Sequence, residues 1–131
     1  MKKLLKQIDS GNIKKFYLIF GEEDYLKNYF ISQIKKKLIP EEFLDMNFNI
    51  FDNDYDDIDA IINSASSLPF INQYRLTIIK NSGLFYSGKK NDTEKFLSAI
   101  NNFSDSSIIL FCETKIDKRN RLYKKISECG A

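Results

Sequence analysis

Apolar residues follow two alternating patterns along the chain, short continuous runs and runs spaced at helical intervals. The near-continuous runs predict four buried strands, at residues 16–20, 46–51, 75–80 and 107–112. Apolar positions three and four residues apart predict amphipathic helices around residues 4–8, 22–38, 55–66, 92–103 and 117–129. Strands that are nearly continuously apolar and alternate with amphipathic helices are typical of a parallel sheet covered on both faces.

The predicted helices differ in how their apolar residues are arranged. The longest, residues 22–38, is expected to place these side chains on one face: Tyr25, Leu26, Tyr29, Phe30, Ile34 and Leu38. Asp92 is expected to cap the helix that runs to Phe103. Cys112 ends an apolar strand and Cys129 lies on the apolar face of the last helix, so both are expected to be small core residues.

Together these elements predict an α/β fold with a Rossmann-like parallel sheet flanked by helices. A length of 131 residues suits one domain with a core of its own. The last predicted helix ends at Cys129, where the alternation would continue with another strand. We therefore interpret residues 1–131 as one domain of a longer protein.

Composition narrows the classes of function. The 20 basic and 18 acidic residues give a net charge of +2, which favours no particular partner. Histidine is absent, which excludes histidine-based triads and most zinc sites. No apolar run approaches the roughly 18 residues of a membrane span, and Lys6 and Gln7 interrupt any signal-peptide core. We expect a cytoplasmic protein with no membrane partner.

The first strand runs into a turn with the sequence Gly21, Glu22, Glu23, Asp24. Nucleotide-binding proteins use such a strand-to-helix turn to hold phosphate with main-chain N–H groups. Here carboxylates follow the glycine, and there is no second glycine and no Lys-Ser/Thr pair. The acids are either ordinary helix-end residues favoured by the helix dipole or the mark of a degenerate phosphate loop. In both cases nucleotide binding is not expected.

Two other positions bear on catalysis. A nucleotide hydrolase of this architecture needs an acid after the third strand to hold magnesium, and this chain has Lys80 and Asn81 there. The acids that begin at Asp52 lack the glycine and the final glutamate of a calcium-binding EF-hand. We predict no catalytic residue, metal or cofactor. A magnesium-dependent phosphotransfer or receiver-type domain that uses acidic strand ends, including Asp52 and Asp54, is the alternative.

Leu68, Phe70 and Ile71, here named the apolar tip, surround Pro69 between a predicted helix and a predicted strand. They either cap the core at the end of the helix or form an exposed wedge for a partner. A second cluster, which includes Lys118, Arg119 and Arg121, is either a solvated helix face or a contact for DNA or another subunit.

Four segments, in order along the chain, resemble the N-terminal domain of the delta subunit of the bacterial DNA polymerase III clamp loader. They are residues 17–26 (YLIFGEEDYL), 48–52 (FNIFD), 68–71 (LPFI) with 75–81 (RLTIIKN), and 116–119 (IDKR) with 122–124 (LYK). The resemblance implies an AAA+-like domain without a working nucleotide site. It also implies that the lid and collar domains lie outside this chain.

The resemblance further implies a function in DNA replication. In the family this domain binds one protomer of the sliding clamp, the beta subunit, and holds the ring open for loading onto primed DNA. The clamp-binding residues of the family fall on Leu68, Phe70 and Ile71. The implied partners of the full-length protein are the gamma/tau and delta prime subunits, and DNA in the assembled complex. ATP hydrolysis is left to other subunits.

Overall fold

The structure is a computed structural model that describes residues 2–52, 57–86 and 90–129. These residues include four strands, β1 (Phe16–Phe20), β2 (Phe48–Asp52), β3 (Arg75–Lys80) and β4 (Ser107–Glu113). They form one sheet in the order β1-β4-β3-β2, and all three neighbouring pairs are parallel. The predicted parallel α/β sheet is therefore confirmed.

Six α-helices connect or flank these strands in the described part of the chain. They are α1 (Lys2–Asp9), α2 (Asp24–Leu38), α3 (Leu44–Asn47), α4 (Ile58–Ala65), α5 (Lys90–Ala99) and α6 (Arg121–Cys129). Short 3₁₀ turns at Glu41–Phe43 and Ile100–Asn102 precede α3 and follow α5. None of the described helices has the length and apolar content needed to cross a bilayer.

The two faces of the sheet each bury a separate apolar cluster, because successive strand residues point to opposite faces. On β4, Ile109 and Phe111 face the cluster formed with α4, α5 and α6, where Phe96 and Leu122 are fully buried. Ile108, Leu110 and Cys112 face the other cluster, which is formed with α1 and α2. Every residue of β4 is buried, which explains its continuous apolar sequence.

Three helices begin later than the apolar pattern predicts. A polar residue precedes each start, and in two of the three its side chain accepts a hydrogen bond from the helix. Glu23 precedes α2, and Asp57, whose side chain accepts a hydrogen bond from the Asp59 N–H, precedes α4. Asn120 precedes α6, and its Oδ1 accepts from the N–H groups of Leu122 (2.8 Å) and Tyr123 (3.1 Å). The spacing of apolar residues does not show where a side chain can accept hydrogen bonds from the first N–H groups of a helix, so it does not fix the residue at which the helix begins.

Two predicted features of the second strand and of α5 are wrong. Residues 44–47 form α3, so β2 begins at Phe48 and not at Met46. Phe43 and Leu44 pack against the cluster on the α2 face, which favours a helical turn over an extended chain there. Helix α5 begins at Lys90, so Asp92 lies in its first turn and does not cap it. Tyr55, an expected inward residue, lies outside the described residues.

The predicted apolar face of α2 is correct only in its second half. Phe30 and Ile34 are fully buried, whereas Tyr25 is 80% exposed and Tyr29 is 49% exposed. Ile31, which the prediction omits, is buried instead. The apolar side chains of α2 therefore pack against the sheet from Phe30 onward, and those of its first two turns are exposed. Cys112 is buried as expected, and burial raises the pKa of its thiol to about 12; the Cys129 side chain is not among those described.

Candidate functional site

The predicted site residues lie at opposite ends of the sheet. The Gly21 turn follows β1 at the carboxyl edge, where the parallel strands end. The apolar tip precedes β3 at the amino edge, where the strands begin. Parallel strands have all their carboxyl ends on one side, so the two regions are separated by the length of the sheet. Each is therefore a separate candidate.

The Gly21 turn uses its main chain to extend the sheet. Gly21 has a φ of +135°, a conformation that L side chains rarely adopt, and nothing lies within 4 Å of the position a Cβ would occupy. Its N–H donates to the carbonyl of Glu113 at 3.1 Å, beside the end of the β1–β4 ladder. The glycine is thus required by backbone conformation, and its N–H group is already bonded within the protein.

The side chain of a lysine in α2, which the sequence did not single out, reaches this turn. Lys27 Nζ donates to the Gly21 carbonyl at 2.8 Å and makes a longer contact, 3.5 Å, to the Glu113 carbonyl. The same ammonium lies 3.4 Å from the Asp24 carboxylate, at the i,i+3 spacing of one helix face. Glu22 and Glu23 are exposed. The i,i+3 spacing of Asp24 and Lys27 in the sequence indicates that these two side chains can pair. The bond from Lys27 to the Gly21 carbonyl depends on the fold and has no such local signal.

A polar cavity of about 250 Å³ adjoins the turn at the carboxyl edge of the sheet. It is lined by residues of both charges and by Cys112: Asp24, Lys27, Asn28, Ile31, Asp52, Lys80, Asn81 and Cys112. Within the residues described, no group of three or more histidine, cysteine or acidic side chains is placed to hold a metal ion. Asp54, named in the magnesium alternative, lies outside those residues.

Glu113, the last residue of β4, is a buried carboxylate that sequence analysis also missed. It is 2% exposed and accepts hydrogen bonds from the Ser82 N–H, the Ser82 hydroxyl and the Gly83 N–H, each at 3.1 Å. Burial raises the pKa of Glu113, and the three hydrogen bonds and the Lys27 charge oppose that rise. The carboxylate thereby fixes the start of the loop that follows β3.

The apolar tip is exposed to solvent. Leu68 and Ile71 are each 70% exposed, and Phe70 is 51% exposed. The alternative that these residues cap the core is therefore wrong. Three large apolar side chains are thus exposed within four residues, and a concentration of exposed apolar side chains is typical of a binding surface.

The main chain of the apolar tip is held in an unusual conformation. Ile71 has a φ of +53°, which for a β-branched residue costs on the order of 1–3 kcal/mol. Asn47, fully buried at the end of α3, exchanges two hydrogen bonds with the main chain of Phe70. After the tip, the Asn72 side-chain amide donates to the Tyr74 carbonyl at 2.7 Å and so fixes the main chain that leads into β3.

Arg75 fixes the surrounding elements at the amino edge. Its guanidinium donates to the Ser64 carbonyl of α4 (3.1 Å), the Met46 carbonyl of α3 (2.9 Å) and Asn49 Oδ1 of β2 (2.6 Å). Burial lowers the pKa of Arg75 from its ordinary value. One side chain thus links three elements beside the apolar tip, and its planar donors suit several acceptors at once.

The basic cluster lies on an exposed surface before and within α6. Arg119 makes two 3.2 Å bonds to the Asp117 carboxylate, which lower the pKa of that carboxyl, and Arg121 pairs with Glu94. Lys118 is exposed. Asp117 and Glu94 therefore offset part of the positive charge of the cluster. In sequence the cluster is distant from both the apolar tip and the Gly21 turn.

Comparison with known proteins identifies a family and two solved structures that this chain is similar to. The sequence model of the family described as "DNA polymerase III, delta subunit" matches residues 17–129. The DNA polymerase III subunit delta of Bacillus subtilis is 30% identical over 94% of this chain and 38% of the relative. This chain therefore spans well under half the length of that curated relative.

Solved structures show the same fold. The Bacillus subtilis DNA clamp loader delta protein superposes with a TM-score of 0.86 at 25% identity, over 98% of this chain and 40% of that one. A DNA polymerase III gamma subunit-related protein of Thermotoga maritima gives a TM-score of 0.56 at 13% identity, over 99% of this chain and 43% of that one. The second likeness shows a shared fold alone.

The carboxyl of Glu113 should titrate above its ordinary pKa of 4.5, a shift that ¹³C NMR can follow. Because its pKa is raised in the folded chain, the folded state binds more protons than the unfolded state between the two values. The free energy of unfolding should therefore fall as pH rises through that interval. Glu113→Gln should lack this fall, and the exposed control Glu128→Gln should keep it. A Glu113 midpoint at or below 4.5 would contradict the prediction.

Proposed function

The chain belongs to the DNA polymerase III delta subunit family, and on that premise we propose that it binds a sliding clamp through its apolar tip. The observation that carries the proposal is the exposure of Leu68, Phe70 and Ile71 on a main chain held in one conformation. The proposal treats residues 1–131 as a single clamp-binding domain. The match to a clamp loader delta protein along almost the whole chain supports it.

The apolar tip has the physical properties of an interface anchor. Fully burying a large apolar side chain contributes about 1.5–3 kcal/mol, and a few such residues dominate the energy of most interfaces. Leu68 and Ile71 retain most of their surface for a partner to cover. A clamp pocket that receives two or three of these side chains would supply enough free energy for a specific complex. Clamp binding would also explain why these apolar side chains are exposed.

We further propose that the bound chain holds a clamp interface open for loading onto primed DNA. In the full-length protein it would act with gamma/tau and delta prime subunits in the bacterial cytoplasm. Lys118, Arg119 and Arg121 are the proposed contacts to DNA or to a neighbouring subunit. The ion pairs of Arg119 and Arg121 lie at an exposed surface, where salt screens them, so phosphate groups could replace their partners.

The chain is proposed to be a non-catalytic subunit without a cofactor. In the Gly21 turn the glycine N–H is bonded to Glu113, and the Lys27 ammonium is bonded to a carbonyl and paired with Asp24. A phosphate group would meet exposed carboxylates and would have to displace these bonds. The family match gives no support to the magnesium-dependent phosphotransfer alternative.

Replacing Phe70 or Leu68 by alanine should weaken clamp binding by about 2 kcal/mol or more, which is about thirtyfold in Kd. The fold should be retained, because both side chains are exposed. Calorimetric titration of the clamp measures the loss. Phe20→Ala and Leu26→Ala are matched controls, since these residues are similarly apolar, 47% and 42% exposed, and at the opposite edge of the sheet. Equal losses for the tip and control variants would refute the assignment.

Magnesium-ATP should show no binding to the chain in a calorimetric titration at concentrations up to about millimolar. The physical reason is the occupied turn, where carboxylates surround a glycine whose N–H is already paired. The Lys27→Ala variant is the natural comparison, because it removes the ammonium and leaves the carboxylates. A saturable signal with micromolar affinity in the unsubstituted chain would reverse the conclusion about Gly21 to Asp24.

A further inference from the structure

Asn47 is a polar side chain that the protein buries completely. Its Nδ2 donates to the carbonyls of Phe43 at 3.0 Å and Phe70 at 2.9 Å, and its Oδ1 accepts from the Phe70 N–H at 2.6 Å. Both amide hydrogens and the oxygen are therefore used. The amide pairs with the main chain of Phe70 in both directions, as an adjacent strand residue would.

No helix or strand supports the main chain of residues 68–71. Within the described part of the chain, the two bonds to Asn47 are the hydrogen bonds that reach this main chain. The segment is otherwise attached at its flanks, where the Ser107 hydroxyl donates to the Ser67 carbonyl at 3.1 Å. Ile71, the next residue after Phe70, has a positive φ of 53°. Such a conformation persists only where its surroundings impose it.

We propose that Asn47 is the positioning residue of the clamp-binding surface and holds Phe70 and Ile71 in the conformation that a clamp accepts. This inference rests on the proposed function of the apolar tip. A segment that is ordered before binding loses less conformational entropy on association, so it binds more tightly than a mobile segment with the same side chains. Asn47 itself is buried and does not touch the partner.

The first test measures, in the absence of a clamp, how firmly Asn47 holds the main chain of Phe70. In Asn47→Ala, amide hydrogen exchange at Phe70 should become at least about tenfold faster, because its acceptor is lost. Exchange at Ile78 and Ile79, in buried β3, should change little. Asn47→Leu removes the same hydrogen bonds and keeps the same number and branching of side-chain heavy atoms, so it serves if the alanine variant does not fold. Asn63→Ala, on the exposed side of α4, is the matched control.

The second test measures clamp affinity in a double-mutant cycle. Asn47→Ala should raise the Kd for the clamp about tenfold when Phe70 is present, and about threefold or less in the Phe70→Ala background. A residue that only stabilises the fold would give the same factor in both backgrounds, once affinity is expressed per folded molecule. The coupling therefore separates a positioning role from a structural one.

The two tests keep this inference distinct from the proposed function. Unchanged exchange at Phe70, or equal affinity factors in the two backgrounds, would overturn the role of Asn47 while leaving the apolar tip as the binding surface. If Leu68→Ala and Phe70→Ala bind the clamp normally, the proposed function fails, and the positioning role in clamp binding fails with it. Faster exchange together with a coupled loss of affinity would support both.

Discussion

The burial of β4 between two apolar clusters is the constraint on which the molecule depends. All seven of its residues are buried, and it pairs with β1 on one side and β3 on the other. Because these pairs are parallel, every strand begins at one edge of the sheet and ends at the other. The Gly21 turn and the apolar tip are thereby fixed at opposite edges, and each can change its chemistry without disturbing the other.

At the carboxyl edge the protein satisfies its own polar groups. The Lys27 ammonium is bonded to the turn, and the Glu113 carboxylate is bonded to the Ser82–Gly83 main chain. At the amino edge it does the opposite with its apolar groups, since Leu68 and Ile71 remain 70% exposed while Asn47 and Arg75 hold the surrounding main chain. The physical basis for proposing that the tip binds a partner is that its exposed apolar side chains stand on a main chain bonded to the buried Asn47.

The elements that could be predicted from sequence are those with a local cause. Strand β3 has the predicted bounds because an apolar run lies between Arg75 and Lys80, and the apolar tip stands out because three large side chains crowd a proline. The hold of Asn47 on Phe70 could not be predicted, since it joins residues 23 positions apart and depends on how α3 is placed. The contact of Lys27 with the Glu113 carbonyl, 86 positions away, has the same origin. Sequence periodicity predicts much of the core, though not the exposed first half of α2, and it does not show which polar groups meet.

The central claim, that the amino edge contacts the clamp, can be tested by methyl NMR on the 15.3 kDa chain. Isoleucine and leucine methyl groups are labelled, and unlabelled clamp is added while cross-saturation from the clamp is measured. The methyl signals of Leu68 and Ile71 should lose intensity, and those of Leu26, which is exposed beside the Gly21 turn, should not. Saturation of Leu26 with no effect on Leu68 and Ile71 would contradict the claim.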